Sequence, residues 1–160
     1  MKVLVVSDTH RFGSNYYEAL QAETPVDLVI HCGDVEGSEL TICEAAGCPV
    51  EMVMGNNDFF SELPREKEFM LGKYKVWLTH GHNYYVSMDN HTIKTEARAR
   101  GVDIVMYGHS HKPVVDYDKE IIAVNPGSLT YPRQEGRKPS FIIMEIDDCG
   151  EAHFTINYVT

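Results

Sequence analysis

The sequence predicts an α/β fold, with a parallel or mixed sheet and helices packed on its face. Two observations lead there. Short apolar runs of strand length alternate with helix-length segments through the first half, and several of these runs stop at clusters of Asp, Asn, Gly and His. Strands buried on both faces read as unbroken apolar runs, and strand–helix alternation is the pattern of parallel pairing with crossover connections.

The elements follow in order. Val3 to Val6 is a β-branched run that ends at Ser7-Asp8-Thr9-His10. Ser14 to Ala22 reads as a helix, with Ser14 as its N-cap and Tyr17, Leu20 and Gln21 at helical spacing. Val26 to Ile30 is a second buried strand, and Glu36 to Ala46 a second helix stopped by Gly47. Val50 to Val53 is a third strand, ending at Gly55-Asn56-Asn57-Asp58. The second half is richer in strands. Lys67 to Leu71 and Lys75 to Leu78 flank a hairpin turn at Gly72-Lys73. A helix from about Ser87 to Arg100, bounded by Gly101, leads to a strand from Asp103 to Met106. Val114 to Tyr117 and Ile121 to Val124 form another hairpin around Asp118-Lys119. Phe141 to Ile146 and His153 to Tyr158 close the chain around residues 147–150.

With 160 residues, 43% of them hydrophobic and 24% charged, the chain is expected to form a single domain, 1–160. A formal charge of −10 argues against stable nucleic-acid binding, which needs basic surface to displace counterions, but leaves a nucleotide substrate open. Cys32, Cys43, Cys48 and Cys149 show no C-x-x-C spacing, so idle thiols in a reducing compartment are expected. The N-terminus lacks the pattern of a signal peptide, and no apolar run reaches membrane-spanning length. The expectation is a cytoplasmic protein without membrane attachment.

Five polar clusters follow apolar runs: Asp8-Thr9-His10, Gly33-Asp34, Gly55-Asn56-Asn57-Asp58, Thr79-His80-Gly81-His82 and Gly108-His109-Ser110-His111. Alone, each has a plain structural reading as a turn, a chance pair or a strand-end histidine. Together, in this order and all at strand ends, they point to a shared metal site, because ligands gather beyond the carboxyl ends of such strands. Carboxylates mixed with imidazoles suit Mn²⁺, Fe²⁺ or Zn²⁺ better than Ca²⁺. The one-residue spacing in Asp8/His10 and His109/His111 would put each pair on one side of an extended segment.

The order of these clusters resembles the calcineurin-like metallophosphoesterase superfamily. Thr79-His80-Gly81-His82 and Asn125-Pro126-Gly127-Ser128 look most like its small prokaryotic phosphodiesterase branch, and a eukaryotic retromer subunit, a vacuolar sorting protein, shares the fold. The resemblance implies a four-layer α/β/β/α sandwich of two mixed sheets flanked by helices. It implies an enzyme, a metal-dependent phosphodiesterase with two divalent ions, Mn²⁺ first and Ni²⁺, Mg²⁺, Fe²⁺ or Zn²⁺ as alternatives. One ion would be held by Asp8, His10 and His111, the other by Asn56, His80 and His109, with Asp34 bridging and a metal-bridging hydroxide as nucleophile. Many relatives carry His after the ligand Asn, and the small branch often has Cys; here the residue is Asn57, which donates hydrogen bonds but supplies no proton at pH 7. Asn57 and His82 are therefore the catalytic candidates beyond the ligands, and leaving-group protonation is assigned to water or His82, or is little needed. Arg11 and Asn57 are candidate phosphate contacts. Asn125 to Ser128 either closes over the site or is a turn, Asp58 is expected to hydrogen-bond near Asn56, and His31 to pack structurally. The partners expected are a small phosphodiester or nucleotide and a second copy of the chain. The rival readings are a non-catalytic scaffold on the same fold and a phosphomonoesterase.

Overall fold

A computed structural model describes residues 1–160. Two five-stranded mixed sheets lie face to face. In the first, β1 (Lys2–Val6) pairs in parallel with β2 (Leu28–His31), which pairs in parallel with β3 (Val50–Met52). The C-terminal strands complete that sheet, in the order β10-β9-β1-β2-β3, with β9 (Ser140–Ile146) and β10 (Ala152–Tyr158) antiparallel. The second sheet runs β4-β5-β6-β8-β7, from β4 (Glu66–Leu71), β5 (Tyr74–Thr79), β6 (Ile104–Met106), β7 (Pro113–Asp118) and β8 (Ile121–Pro126). Helices α1 (Ser14–Glu23) and α2 (Glu39–Ala46) cover the first sheet and α3 (His91–Arg100) the second. The four-layer sandwich expected from the resemblance is the architecture found.

The unbroken apolar runs have a direct explanation. Side chains alternate across a strand, so β1 sends Val3 and Val5 into the seam between the sheets, where they meet Ile30, Val76, Leu78, Ile104, Met106 and Val124. The same strand sends Leu4 and Val6 outward against Tyr16, Ala19, Leu20 and Ile42 of the covering helices. Both faces are dry, and each such side chain contributes about 1.5–3 kcal/mol on burial. On the second sheet Trp77, Val105 and Ala123 pack against Ile93 and Ala97 of α3, and the Arg100 guanidinium lies 4.2 Å from the Trp77 ring centroid.

Several boundaries differ from the sequence reading. Helix α1 starts at Ser14 itself, with Gly13 in the cap position and no side-chain cap. Its buried face is Tyr16, Ala19 and Leu20; Tyr17 and Gln21 point outward, because the Tyr16 hydroxyl donates to the Ile42 carbonyl of α2 and fixes the helix rotation. Helix α2 begins at Glu39, since Glu36 and Gly37 are left-handed (φ 50° and 86°). Helix α3 begins at His91, after a 3₁₀ turn at His82–Tyr84 and a left-handed Tyr85. The second hairpin turns at Lys119-Glu120, one residue later than expected.

Register brings the strand ends together. Val6, His31 and Met52 sit side by side in the first sheet, and Leu78, Met106 and Val124 in the second. The backbone continues to pair beyond the strands: Asp8 N–H donates to Gly33 O (3.0 Å), His10 N–H to Asp34 O (2.8 Å) and Gly108 N–H to His80 O (3.0 Å). All five polar clusters therefore open at one end of the sandwich.

Candidate metal centre

Asp8 and Asp34 form the floor, and both are almost fully buried. Asp8 Oδ2 accepts hydrogen bonds from Ser7 Oγ (2.6 Å) and the His109 backbone N–H (3.0 Å). Asp34 Oδ1 accepts from the Asn57 backbone N–H and Oδ2 from the Asn57 side-chain amide, both at 2.9 Å. Burial opposes ionisation of Asp8, but His80 and His111 outweigh it and hold its carboxyl below the usual range. Burial likewise opposes Asp34, and His80 with the Asn57 hydrogen bonds holds it well below that range.

Imidazoles surround this floor, each oriented through Nδ1. His10 Nδ1 donates to Glu36 Oε1 (3.0 Å), His80 Nδ1 to the Cys32 carbonyl (2.8 Å) and His111 Nδ1 to the Tyr131 carbonyl (2.6 Å). That leaves each Nε2 as the atom facing the carboxylates. His80 Nε2 lies 3.4 Å from Asp34 Oδ2 and 3.7 Å from Asp8 Oδ1, and His111 Nε2 lies 3.1 Å from Asp8 Oδ1. His109 Nδ1 approaches Asn56 Oδ1 at 3.2 Å, and its ring centroid is 5.2 Å from that of His80. Without a cation, burial would push His80 down, but the carboxylates of Asp8 and Asp34 push it up to about 9.

This donor set fits divalent metal. The Nε2 atoms of His10 and His80 are buried with no hydrogen-bond partner, although both rings face anionic oxygen. Nδ1–H donation to oxygen fixes the tautomer that frees Nε2 as a ligand, the arrangement common around bound metals. Two groups have ligand atoms mutually within 4.8 Å: Asp8, His10 and His111, and Asp8, Asp34 and His80. Asp8 belongs to both.

Of the seven ligands expected from sequence, Asp8, His10, Asp34, His80 and His111 have their donor atoms grouped here, while half-buried His109 and exposed Asn56 face each other at the rim. The reason given for their pairing was wrong in one respect. Asp8, His10, His109 and His111 are not extended; with Asp34 they sit at φ of 52° to 70°. Left-handed backbone is uncommon for residues with side chains and concentrates at functional sites. It bends the chain back after each strand, so both residues of each pair reach the cavity. Asn57 touches Asp34. His82 lies at the rim, its ring centroid 5.5 Å from that of His80 and 6.1 Å from that of His109. Burial and the nearby His80 push the His82 imidazole down. Arg11 is mostly exposed and bonds Glu36 Oε2 at 3.2 Å, so its side chain is turned to the rim.

Other residues brace the centre. Asp58 accepts four backbone N–H bonds, from Asp34 (2.8 Å), Val35 (2.9 Å), Glu36 (2.7 Å) and Gly55 (2.7 Å), and so ties two ligand loops together. Asn125 to Ser128 proves to be a brace too: Asn125 bonds Gly108 O and Ser110 Oγ, and Ser128 Oγ donates to the Asp8 carbonyl. His31 is structural, accepting the Gly33 N–H at Nδ1 and facing Thr9 Oγ1 through Nε2. Gly33 and Gly55 permit the close approach: a Cβ on Gly33 would lie 2.7 Å from His80 Nδ1, and one on Gly55 only 2.1 Å from Asp34 Oδ1. Glu36 and Tyr131 were missed by sequence reasoning. Glu36 carried a weak signal in its spacing from Asp34, and the Tyr131 contact uses its carbonyl, which no side-chain pattern reveals.

Residues 1–149 match the calcineurin-like phosphoesterase superfamily domain. The chain belongs to that superfamily. A probable metallophosphoesterase of Bacillus subtilis is 33% identical over 92% of this chain and 86% of its own length. Another from Methanocaldococcus jannaschii is 35% identical over 83% and 70% respectively. A phosphodiesterase of the same archaeon is 27% identical over 79% of this chain and 83% of its own. Among solved structures, a predicted phosphoesterase from Streptococcus pneumoniae superposes with a TM-score of 0.81 at 29% identity, covering 99% of this chain and 88% of that one. Vps29 of Entamoeba histolytica in complex with Zn²⁺ superposes with a TM-score of 0.77 at 24% identity over 99% of each chain, a likeness of fold. The family is metal-dependent, and the buried carboxylates and histidines are candidate metal-binding residues of this chain. No helix is long and apolar enough to cross a membrane.

Proposed function

We propose that the protein hydrolyses phosphodiesters with the help of two divalent cations, Mn²⁺ being the first choice. Asp8, His10 and His111 would hold one and Asn56, His80 and His109 the other, with Asp34 between them. Bound there, the cations would acidify a water to serve as nucleophile and neutralise the phosphoryl oxygens. The observation that carries this reading is the pair of partnerless Nε2 atoms, on His10 and His80, facing two buried carboxylates. The phosphodiesterase relative supports diester over monoester.

The residues of the chain divide the remaining work. Asp58 and Ser128 hold the ligand loops in place, and Glu36, the Cys32 carbonyl and the Tyr131 carbonyl keep three imidazoles in the ligating tautomer. The Asn57 amide, bonded to Asp34, stands at the edge of the centre where it can also donate to a phosphoryl oxygen. His82, with its lowered pKa, is neutral at pH 7 and contributes a hydrogen bond at the rim more readily than a proton. Esters with good leaving groups are therefore expected to react best.

The test is hydrolysis of bis(p-nitrophenyl) phosphate by Mn²⁺-loaded protein, measured beside p-nitrophenyl phosphate. Activity on the diester that is lost in Asp34→Asn supports the proposal, and preference for the monoester would redirect it. A protein that binds Mn²⁺ yet hydrolyses neither would favour a scaffold role, the reading that the likeness to Vps29 keeps in view. Asn57→His should raise the rate on alkyl diesters more than on aryl ones; no such difference would count against the role given to Asn57.

A further inference from the structure

Beside the metal centre lies a cleft of about 620 Å³ that hydrolysis of the phosphate group itself does not require. Its walls include Arg11, Glu39, Phe59, Phe60, Glu62 and Leu63, and it shares Glu36, Asn57 and Asp58 with the bracing of the centre. The volume lies within the roughly 300–1,000 Å³ typical of small-molecule sites and far exceeds what a phosphate fills. We propose that this cleft receives one organic arm of the ester, an aromatic group without negative charge.

Two features of the wall select that chemistry. Phe59 and Phe60 are adjacent, lie on the loop between β3 and β4, and are 77% and 105% exposed, so neither serves the core. Phe60 sits at φ 60°, a conformation a bulky side chain adopts rarely, and there its ring is held out in solvent beside the cleft. Exposed rings beside a cavity gain most from a flat partner that stacks on them. The charge of the wall is the second feature. Arg11 is paired with Glu36 at 3.2 Å, and Asp58 is occupied by four backbone N–H groups, whereas Glu39 and Glu62 line the cleft without an ion-pair partner. An anionic arm would meet these carboxylates, and a neutral aryl or nucleoside arm would not.

The inference rests on the phosphodiesterase reading, and its test separates the two. Mn²⁺-loaded protein is assayed on p-nitrophenyl esters that share a leaving group and differ in the other arm: methyl, phenyl or carboxyphenyl, each normalised to its uncatalysed rate. The phenyl arm is expected to exceed methyl in kcat/KM by roughly tenfold, as stacking on an aromatic side chain provides. In Phe59→Ala/Phe60→Ala that ratio should fall toward one. A purely structural effect would lower both esters alike and leave the ratio standing, which would overturn the proposal. The carboxyphenyl arm should be several-fold poorer than phenyl, with the gap narrowing in Glu39→Gln/Glu62→Gln; an unchanged gap would remove the charge argument. If the loaded protein hydrolyses none of the esters, the hydrolytic reading fails and calorimetry with phenylphosphonate and methylphosphonate reads the cleft alone. Tighter phenyl binding that depends on the two phenylalanines supports the cleft assignment, and equal or absent binding refutes it.

Discussion

Asp58→Asn tests whether one carboxylate organises the metal centre. Oδ2 of Asp58 accepts the N–H groups of Asp34 and Gly55, and Oδ1 those of Val35 and Glu36. An amide keeps one oxygen, so whichever way it turns, two backbone donors face an NH₂ group. Each lost charge-assisted bond costs about 1.5–3 kcal/mol, and the pair roughly 3–5 kcal/mol once some relaxation is allowed. That is a large share of the ~5–15 kcal/mol that stabilises an ordinary domain. With a urea m-value of about 2 kcal/mol/M, the unfolding midpoint should fall by roughly 1.5–2.5 M. Because Asp34 leads one anchored loop and Asn56 follows Gly55 in the other, Mn²⁺ binding should weaken as well, measured by calorimetry on protein that remains folded. A midpoint within about 0.5 M of the parent at unchanged m, with unaltered Mn²⁺ affinity, would refute the reasoning.

Three further outcomes follow from the same geometry. Burial pushes the His31 imidazole down to about 4, so the folded state binds fewer protons than the unfolded chain. Its stabilisation is complete above about pH 6.5 and is lost as pH falls toward about 4, a change on the order of 3 kcal/mol; urea midpoints across that window should show a steeper acid loss in the parent than in His31→Gln. His80 behaves oppositely in metal-free protein: its pKa is raised to about 9, so its contribution is full below about pH 6.5 and fades as pH rises through about 9. Metal binding needs the deprotonated ring, so Mn²⁺ should reverse the slope, and chelator should lower Tm more at pH 9 than at pH 7. Glu36→Ala releases His10 Nδ1 and Arg11, and by analogy with other supporting carboxylates Mn²⁺ affinity should drop about 10–100-fold while Tm of the metal-free protein changes little.

The strands and the site's location were legible because both follow from elementary patterning. A strand covered on both faces has to be apolar throughout, and the residue where the apolar run stops is the residue at the sheet's open end, as at Ser7-Asp8 and Gly55-Asn56. Family resemblance added the second sheet and the grouping of ligands. What stayed hidden depends on backbone and on contacts distant in sequence. The onset of α2 was placed three residues early because the N–H groups of Asp34, Val35 and Glu36 bond the Asp58 carboxylate, and a left-handed Glu36 and Gly37 follow. The rotation of α1 was misjudged because Tyr16, not Tyr17, carries the hydroxyl that reaches α2. Asp58 was expected to hydrogen-bond near Asn56, as its bond from the Gly55 N–H does, but its three bonds from Asp34, Val35 and Glu36 stayed hidden because they come from another segment.

The centre draws its groups from both sheets, with consequences for how the chain matures. Asp8 and His111 are 103 positions apart yet meet at 3.1 Å. Strand β1, which leads to Asp8, takes β9 as a neighbour from near the C-terminus. A chain still being synthesised therefore has carboxylates and imidazoles but no complete pocket until the second sheet has closed on the first. A divalent ion that bound only the finished arrangement would favour the folded chain over partly folded ones and would hold the open end of the sandwich together.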